Sequence, residues 1–138
     1  MAKFSSFDAW QKSLESRLMK AVKPSLVELG DFVMDETPED TTRLVSNYKT
    51  SLNTPDYSSN YNLMDGGSSA YNDLTTTVNN MEIEDSLYFT NSIDYAINAE
   101  EDGWLFTPAY GMVRMGIDNW QNIFNKMVSF FIIIPFTK

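Results

Sequence analysis

Three consecutive acids, Glu100, Glu101 and Asp102, are the most concentrated group of potentially reactive side chains in the sequence. A calcium loop needs oxygen ligands at alternating positions around a central glycine, and residues 94–102 lack that spacing. Two acids could also hydrolyse a glycosidic bond, but a chain with 19 acids always offers candidate pairs. The cluster therefore indicates no specific reaction, and it could equally face solvent.

The composition lacks the side chains on which many enzymes depend. The 138 residues include no cysteine and no histidine, which excludes thiolate nucleophiles, disulfides and imidazole bases or ligands. Gly66 and Gly67 are not followed by the lysine and hydroxyl residue of a phosphate-binding loop. We expect no catalysis, no cofactor and no metal. A chance cation site at Asp56, Asp65 and Gly66, and a hydrolase that uses carboxylates alone, stay open as alternatives.

Charge is distributed unevenly along the chain, whose net charge is −9 at pH 7. Residues 1–27 carry five bases and two acids, whereas residues 50–113 carry ten acids and no lysine or arginine. The negative net charge opposes general binding to nucleic acid. The acidic middle is either a solvated surface, or a surface that repels phosphate or meets a basic partner.

Length and apolar content predict one folded domain, with 43% hydrophobic and 14% aromatic residues available for a core. The N-terminus lacks the apolar region of a signal peptide. The longest apolar run, FFIIIPF at residues 130–136, is far shorter than the roughly 20 residues that span a bilayer. We therefore expect a soluble protein, made in a cytoplasm, with no membrane contact.

Apolar periodicity predicts a long N-terminal helix and a helix near the C-terminus. The first helix starts at a Ser5 or Ser6 cap, kinks or restarts at Pro24 and ends near Met34. The last helix starts at Thr107-Pro108 and ends near Met127. The apolar stripe of the first helix comprises Phe7, Trp10, Leu14, Leu18, Leu26, Leu29 and Val33, and that of the last comprises Met112, Ile117, Trp120, Ile123, Phe124 and Met127.

Shorter patterns fill the rest of the chain. Asp40 or Thr41 is predicted to cap a short turn through Arg43 and Leu44. Strands are predicted at residues 46–53 and 86–91, although Leu44, Tyr48 and Leu52 would also fit a helix. A helix is predicted at residues 69–79 with Ala70, Leu74 and Val78 on one side. One or two helical turns follow at residues 95–101, and residues 54–67 read as a polar loop. The run at residues 130–136 reads as an edge strand that must be buried in the domain or added to a neighbour's sheet. This order predicts an α+β fold, with a long N-terminal helix and a C-terminal helix packed on a small, mostly antiparallel sheet.

Three segments, in this order, resemble one protein family. TPEDTTRLVSNY at residues 37–48 is similar to a Thr-Pro-x-Asp-Thr-Gly-x-Leu stretch after a long first helix. LYFTNSIDYAINAEEDGW at residues 87–104 resembles a strand ending in Asn, then Tyr-Ala and a Glu just before a Gly. TPAYGMVRMGIDNW at residues 107–120 resembles the opening of a last helix in which a Pro precedes Gly-Met-Val/Leu-Arg. The family is that of tailed-bacteriophage neck proteins: head–tail connector, tail-completion and minor tail proteins.

The loop at residues 54–67 is poorly matched by the family pattern, and the run at residues 130–136 matches nothing specific in it. Within the matched segments the chain departs from the pattern at two points. Thr42 stands where the family has Gly, so the turn there could differ. The family's Glu-x-Gly corresponds here to Glu100-Glu101-Asp102-Gly103. Either Glu101 is the matching acid, or one residue is inserted after Glu100.

The resemblance implies a virion component without catalysis: a homo-oligomeric ring of six or twelve copies that joins the portal-side connector to the tail while DNA passes through its lumen. The acidic middle could line that lumen, and the basic first helix could dock on an acidic neighbour. An acidic inhibitor or DNA-mimic binding module is the alternative function. The resemblance implies mainly structural roles for Thr37, Pro38, Asp40, Thr41, Leu44, Asn91, Tyr95, Ala96, Gly103, Pro108, Gly111 and Met112. We expect interfaces at Lys12, Arg17, Lys20, Tyr57, Tyr61, Glu100, Glu101, Asp102, Trp104, Phe130 and Phe131.

Overall fold

The chain folds as an α+β domain, as the sequence predicts. The computed structural model describes residues 6–38, 41–101 and 111–128. Helix α1 packs against α5 and α3, and α3 also packs against β1, which pairs with β2 in an antiparallel two-stranded sheet. In chain order the elements are α1 (Phe7–Asp35), α2 (Arg43–Ser46), β1 (Tyr48–Leu52), α3 (Ser68–Asn79), β2 (Leu87–Asn91), α4 (Ala96–Glu101) and α5 (Met112–Val128).

Helix α1 starts where the sequence predicts, because the Ser6 hydroxyl accepts a hydrogen bond from Ala9 N at 3.2 Å and so satisfies a free amide of the first turn. Of the kink or restart predicted at Pro24, the restart does not occur, since the helix continues through this residue to Asp35. Pro24 cannot donate a helical hydrogen bond. Ala21 and Ser25 beside it are fully buried, so tertiary packing holds this part of the helix together.

Strand β1 begins at Tyr48, two residues later than predicted, because Ser46 ends α2 and Asn47 forms a turn. The Asn47 side chain explains the turn. It donates to Arg43 O at 2.8 Å and accepts from Asn60 N at 2.7 Å. It thereby ties the start of the strand to the polar loop, which has no helix or strand between Leu52 and Ser68.

The core lies between α1, α2, the sheet and α5, and Tyr48 is its central polar group. The Tyr48 ring stacks on Phe89 with 4.7 Å between ring centroids. Its hydroxyl lies 2.9 Å from Thr37 Oγ1, which donates its own proton to Val33 O at 2.7 Å. Tyr48 must therefore donate to Thr37. Burial raises the pKa of Tyr48 to about 12.

The prediction that Ala70, Leu74 and Val78 share one side of a helix is confirmed, since all three are buried on α3. The face of α5 differs from the prediction. Ile117 is 64% exposed, and Gly116 packs on α1 instead, where an added Cβ would lie 2.8 Å from Val33 Cγ2. The missing side chain lets the two helices approach closely, so α5 buries Met112, Gly116 and Ile123.

Helix α5 begins at Met112 in the structure. Gly111 before it has a φ of 79° and lies outside the helix, so no single helix runs from Pro108 through Gly111 to Met127. The predicted cap at Thr107-Pro108, the turn at Gly103 and the strand at residues 130–136 lie outside the described residues. In the part of the chain that the structure describes, no helix is long and apolar enough to cross a membrane.

Candidate interaction site

Glu100 is a helix cap. Its carboxylate accepts hydrogen bonds from Val113 N at 2.9 Å and Arg114 N at 3.1 Å, both in the first turn of α5. The Arg114 guanidinium donates to the Glu100 carbonyl oxygen at 3.0 Å and approaches the carboxylate to 3.6 Å. The first amides of a helix have no partners within it, and the positive end of the helix dipole favours an anion. The carboxylate therefore fixes α5 to α4.

Gly111 makes room for this cap. Its φ of 79° favours glycine, and an added Cβ would overlap the Glu100 carboxylate. Glu100 is thus the acid that contacts the Gly-Met start of α5. The Glu101 side chain, Asp102, Gly103 and Trp104 lie outside the described parts of the structure.

An apolar groove of about 320 Å³ opens beside the cap, between α1, the sheet, α4 and α5. Its walls include Leu26, Leu87, Phe89, Ile97 and Ile117, of which Ile97 is 71% exposed and Ile117 64% exposed. Exposed apolar surface of this kind is typical of a contact with another apolar group.

The polar side chains in the wall of the groove already have partners. Asn91 Nδ2 donates to Leu44 O at 2.7 Å and its Oδ1 accepts from Ile93 N at 3.2 Å. Glu100 is held by α5. The geometry therefore suits binding of an apolar segment better than chemistry on a polar substrate.

Most described acids of the middle region organise the backbone. Asp65 accepts from Gly67 N at 3.0 Å and Ser69 N at 3.1 Å, at the start of α3. Asp73 accepts from Thr50 N at 2.8 Å, which ties α3 to the outer edge of β1. These contacts explain why short polar residues are so frequent in this region: they end and start elements.

Hydrogen bonds also shift the pKa of three acids downwards. The Ser69 hydroxyl lowers the pKa of Asp65, the Ser58 hydroxyl lowers that of Asp56, and the Asn53 amide lowers that of Asp85. Asp56 and Asp65 serve separate turns, and the described residues contain no group of three acids that could hold a metal ion. The possible cation site at Asp56, Asp65 and Gly66 therefore gains no support from the geometry.

The predicted interface residues lie on separate surfaces. Tyr57 is 71% exposed in the polar loop. Tyr61 is held in place, because the Arg43 guanidinium stacks 3.8 Å above its ring and donates to its carbonyl oxygen. Lys12 and Lys20 are exposed on the first half of α1, and Arg17 is half-buried there. Phe130 and Phe131 lie outside the described residues.

The residues of the family-like segments that the structure describes are mainly packing and hydrogen-bonding groups. Thr37 and Pro38 are buried after α1, and Tyr95 and Ala96 pack against the core beside Met112. Thr41 is a predicted cap of α2, but the N-cap is Thr42, and Thr41 Oγ1 accepts from Arg43 N at 3.4 Å from one residue before it. Asp40, the other predicted cap, and Pro108 lie outside the described ranges.

Two features of the structure were not predicted from the sequence. One is the role of Glu100 as the cap of α5. The only signal for it in the sequence is that an acid precedes the Gly111-Met112 pair at which α5 begins. The other is the exposure of the apolar stripe at the start of α1.

No protein-family model, curated protein or solved structure matches the chain.

Proposed function

We propose that this protein is a structural component of a tailed-bacteriophage virion, a neck or tail-completion protein that forms a ring between the head connector and the tail. The observation that carries the proposal is the meeting of the three family-like segments in the fold. Asn91 of the second segment donates to Leu44 O of the first at 2.7 Å. Glu100 of the second accepts from Val113 N of the third at 2.9 Å. In each contact the side chain is of a type that the family pattern has in that segment, an Asn at the end of a strand and a Glu shortly before a Gly.

The backbone of Thr42 gives further support. Its φ of 63° lies in the left-handed region, which strongly favours glycine over a β-branched residue. The family pattern has Gly at this position. The chain thus keeps the backbone conformation that the pattern requires although the side chain differs.

The charge distribution suits a ring around DNA. Subunits of a ring meet through unlike surfaces, and a wall that DNA passes must not hold its phosphates. Lys12 and Lys20 are exposed on α1, whereas Glu82, Glu84 and Asp94 are exposed in the region without bases. The proposal assigns these acids to the lumen and the two lysines to a neighbouring subunit. It requires no catalytic activity.

Electron microscopy of particles that carry a tagged copy of this chain tests the location. We expect label at the junction of head and tail. Particles without the label, together with a stable soluble complex between this chain and a host protein, would overturn the proposal and favour the acidic inhibitor or DNA mimic.

The docking role of α1 has a separate test. We expect Lys12→Glu with Lys20→Glu to weaken ring formation, followed by sedimentation velocity, and to reduce its dependence on salt. Lys49→Glu on β1 is the control for a change of charge elsewhere. Equal assembly of the double variant and the unmodified chain would contradict the assignment of the lysines to the subunit contact.

A further inference from the structure

The first half of α1 presents a continuous apolar surface, the N-terminal stripe, made of Phe7, Trp10, Leu14 and Leu18. Their side chains are 71, 43, 43 and 36% exposed, and the rings of Phe7 and Trp10 contact each other with 5.4 Å between centroids. Four large apolar groups in a row on one helix face are unusual for a free surface. The stripe therefore needs an occupant.

The N-terminal stripe continues the face of α1 that α5 covers. Gly116 of α5 packs against Leu29 and Val33. A helix turns about 100° per residue, so Leu18, Leu14 and Phe7 point within about 60° of the direction of Leu29. An element that prolonged α5 along α1 would meet the N-terminal stripe.

Helix α5 runs antiparallel to α1 and ends beside this stripe. Gly116 of α5 lies level with Leu29 and Val33 of α1. Further along α5, Lys126 Nζ contacts Glu28 Oε1 at 3.0 Å, so α5 advances towards the start of α1. A parallel α5 would carry Lys126 about 15 Å beyond that level and away from Glu28. In the antiparallel arrangement Val128 lies about 18 Å closer to the start of α1 than Gly116 does, and so approximately level with Leu18.

Ten residues, SFFIIIPFTK at 129–138, follow α5. Seven extended residues span about 23 Å, and the N-terminal stripe from Leu18 to Phe7 spans about 16 Å of helix. Six of the seven residues at 130–136 are large and apolar. We propose that residues 130–136 pack along the N-terminal stripe of the same chain and so complete the apolar face of α1.

The apolar groove beside Glu100 is a poorer destination for this segment. It includes Ile117, about 16 Å back along α5 from Val128. A reversing chain would use about five residues to return to that level, and with them most of the run at 130–136. The N-terminal stripe lies directly ahead. This inference does not depend on the proposed function, since it concerns one chain in any oligomer.

Engineered cysteine pairs test the contact without interference, because the chain has no cysteine of its own. The full-length variant Leu14→Cys with Phe131→Cys joins the stripe to the segment. Ser16→Cys with Phe131→Cys is the matched control: Ser16 is exposed and lies only two residues away, but about 200° round the helix. Both pairs are oxidised in dilute solution and followed by non-reducing electrophoresis and mass spectrometry.

We expect the Leu14 pair to close within one chain at least tenfold faster than the Ser16 pair, at a rate independent of protein concentration. Equal rates for the two pairs would overturn the proposal. So would rapid disulfide-linked dimers on mixing the Leu14→Cys chain with the Phe131→Cys chain, because the stripe would then be covered by a second copy.

Hydrogen exchange supplies a readout that needs no cysteine. Deletion of residues 129–138 should accelerate exchange of the amides at residues 7–20 at least fivefold and leave α3 protected. Unchanged exchange at residues 7–20, with α3 still protected, would show that the segment does not cover the stripe and would also overturn the proposal. If α3 loses its protection as well, Phe131→Ser with Ile133→Ser in the full chain replaces the deletion and is judged by the same comparison.

Discussion

The two halves of α1 have the same apolar spacing but different surroundings. In the second half Ala21, Ser25 and Val33 are buried beneath α3 and α5, whereas in the first half Phe7 and Leu14 are exposed. An apolar stripe at helical spacing predicts a face that must be covered. It does not predict which element covers it, nor whether that element belongs to the same chain.

The side chains themselves distinguish the halves. Small residues, Ala21, Ser25 and Gly30, occupy the covered half, and Gly30 lies against the Leu74 side chain of α3. Gly116 plays the same part on α5. Small residues allow helix axes to approach closely, whereas the large groups of the N-terminal stripe suit a thin cover such as an extended segment. The size of the apolar residues thus carries information that their spacing lacks.

Truncation of one leucine in each region tests this comparison and has the largest expected effect. Leu74 of α3, which packs against Gly30 in the covered half of α1, is 1% exposed, whereas Leu14 in the first half is 43% exposed. Leu74→Ala should lower the free energy of unfolding by about 3–4 kcal/mol, because it removes buried contacts and leaves a cavity. Leu14→Ala should cost less, about 1–2 kcal/mol, because even with residues 130–136 packed on the stripe Leu14 is covered by a single extended segment. Urea denaturation of the two full-length variants measures the difference, and similar losses would show that the halves are packed alike.

The buried Tyr48 makes the covered half sensitive to alkaline pH. Its pKa is raised from 10.0 to about 12 in the folded protein, so the unfolded chain releases this proton first. Tyr48 therefore leaves stability unchanged below pH 10 and lowers it as pH rises from 10 to 12, by up to about 1.4 kcal/mol per pH unit. Tyr48→Phe should remove this fall.

The measurement for Tyr48 is the urea midpoint between pH 9 and pH 12. Tyr57→Phe is the control, since Tyr57 is 71% exposed. The two variants should diverge above pH 10, with the Tyr48→Phe chain losing less stability. Parallel curves would mean that Tyr48 ionises in the folded protein as easily as in the unfolded chain.

Removal of the Glu100 cap should loosen α5 and with it the cover of the second half of α1. Glu100→Ala leaves the amides of Val113 and Arg114 without their acceptor and should cost about 1–2 kcal/mol. Glu100→Gln keeps one acceptor oxygen and should cost less. Glu84→Ala, at an exposed acid, is the control. Thermal unfolding with hydrogen exchange at residues 112–116 measures the effect, and equal values for Glu100→Ala and Glu84→Ala would refute the role of the cap.

These contacts also show which parts of the fold the sequence can predict. The start of α1, the helix at α3 and the strand β2 follow from local signals, namely a Ser cap, a repeat of three and four, and alternation. Gly116 and Glu100 act through residues on other elements, so their roles depend on the tertiary arrangement. Asn47 similarly shortens β1 through a bond to Asn60. Local periodicity contains none of these pairings.

Substitution of Thr42 should change the free energy of unfolding least, and in this case the change should be an increase. A β-branched residue at a φ of 63° is strained by about 1 kcal/mol, and its hydroxyl accepts from Gly66 N at 3.1 Å. Thr42→Asn relieves the strain and keeps a side-chain oxygen, so it should stabilise the protein by about 0.5–1 kcal/mol. Thr42→Gly should gain less, because it loses that acceptor and adds freedom to the unfolded chain.

Thr41→Asn is the control for Thr42→Asn, since Thr41 does not have a positive φ. Urea denaturation should rank the chains with Thr42→Asn above Thr42→Gly and Thr41→Asn lowest. Because Thr42 lies beside the core and far from the start of α1 in sequence, hydrogen exchange should slow in the covered half and stay unchanged at residues 7–20. A gain shared by both halves would show that α1 unfolds as one unit, and the contrast between its halves would then be one of exposure alone and not of local stability.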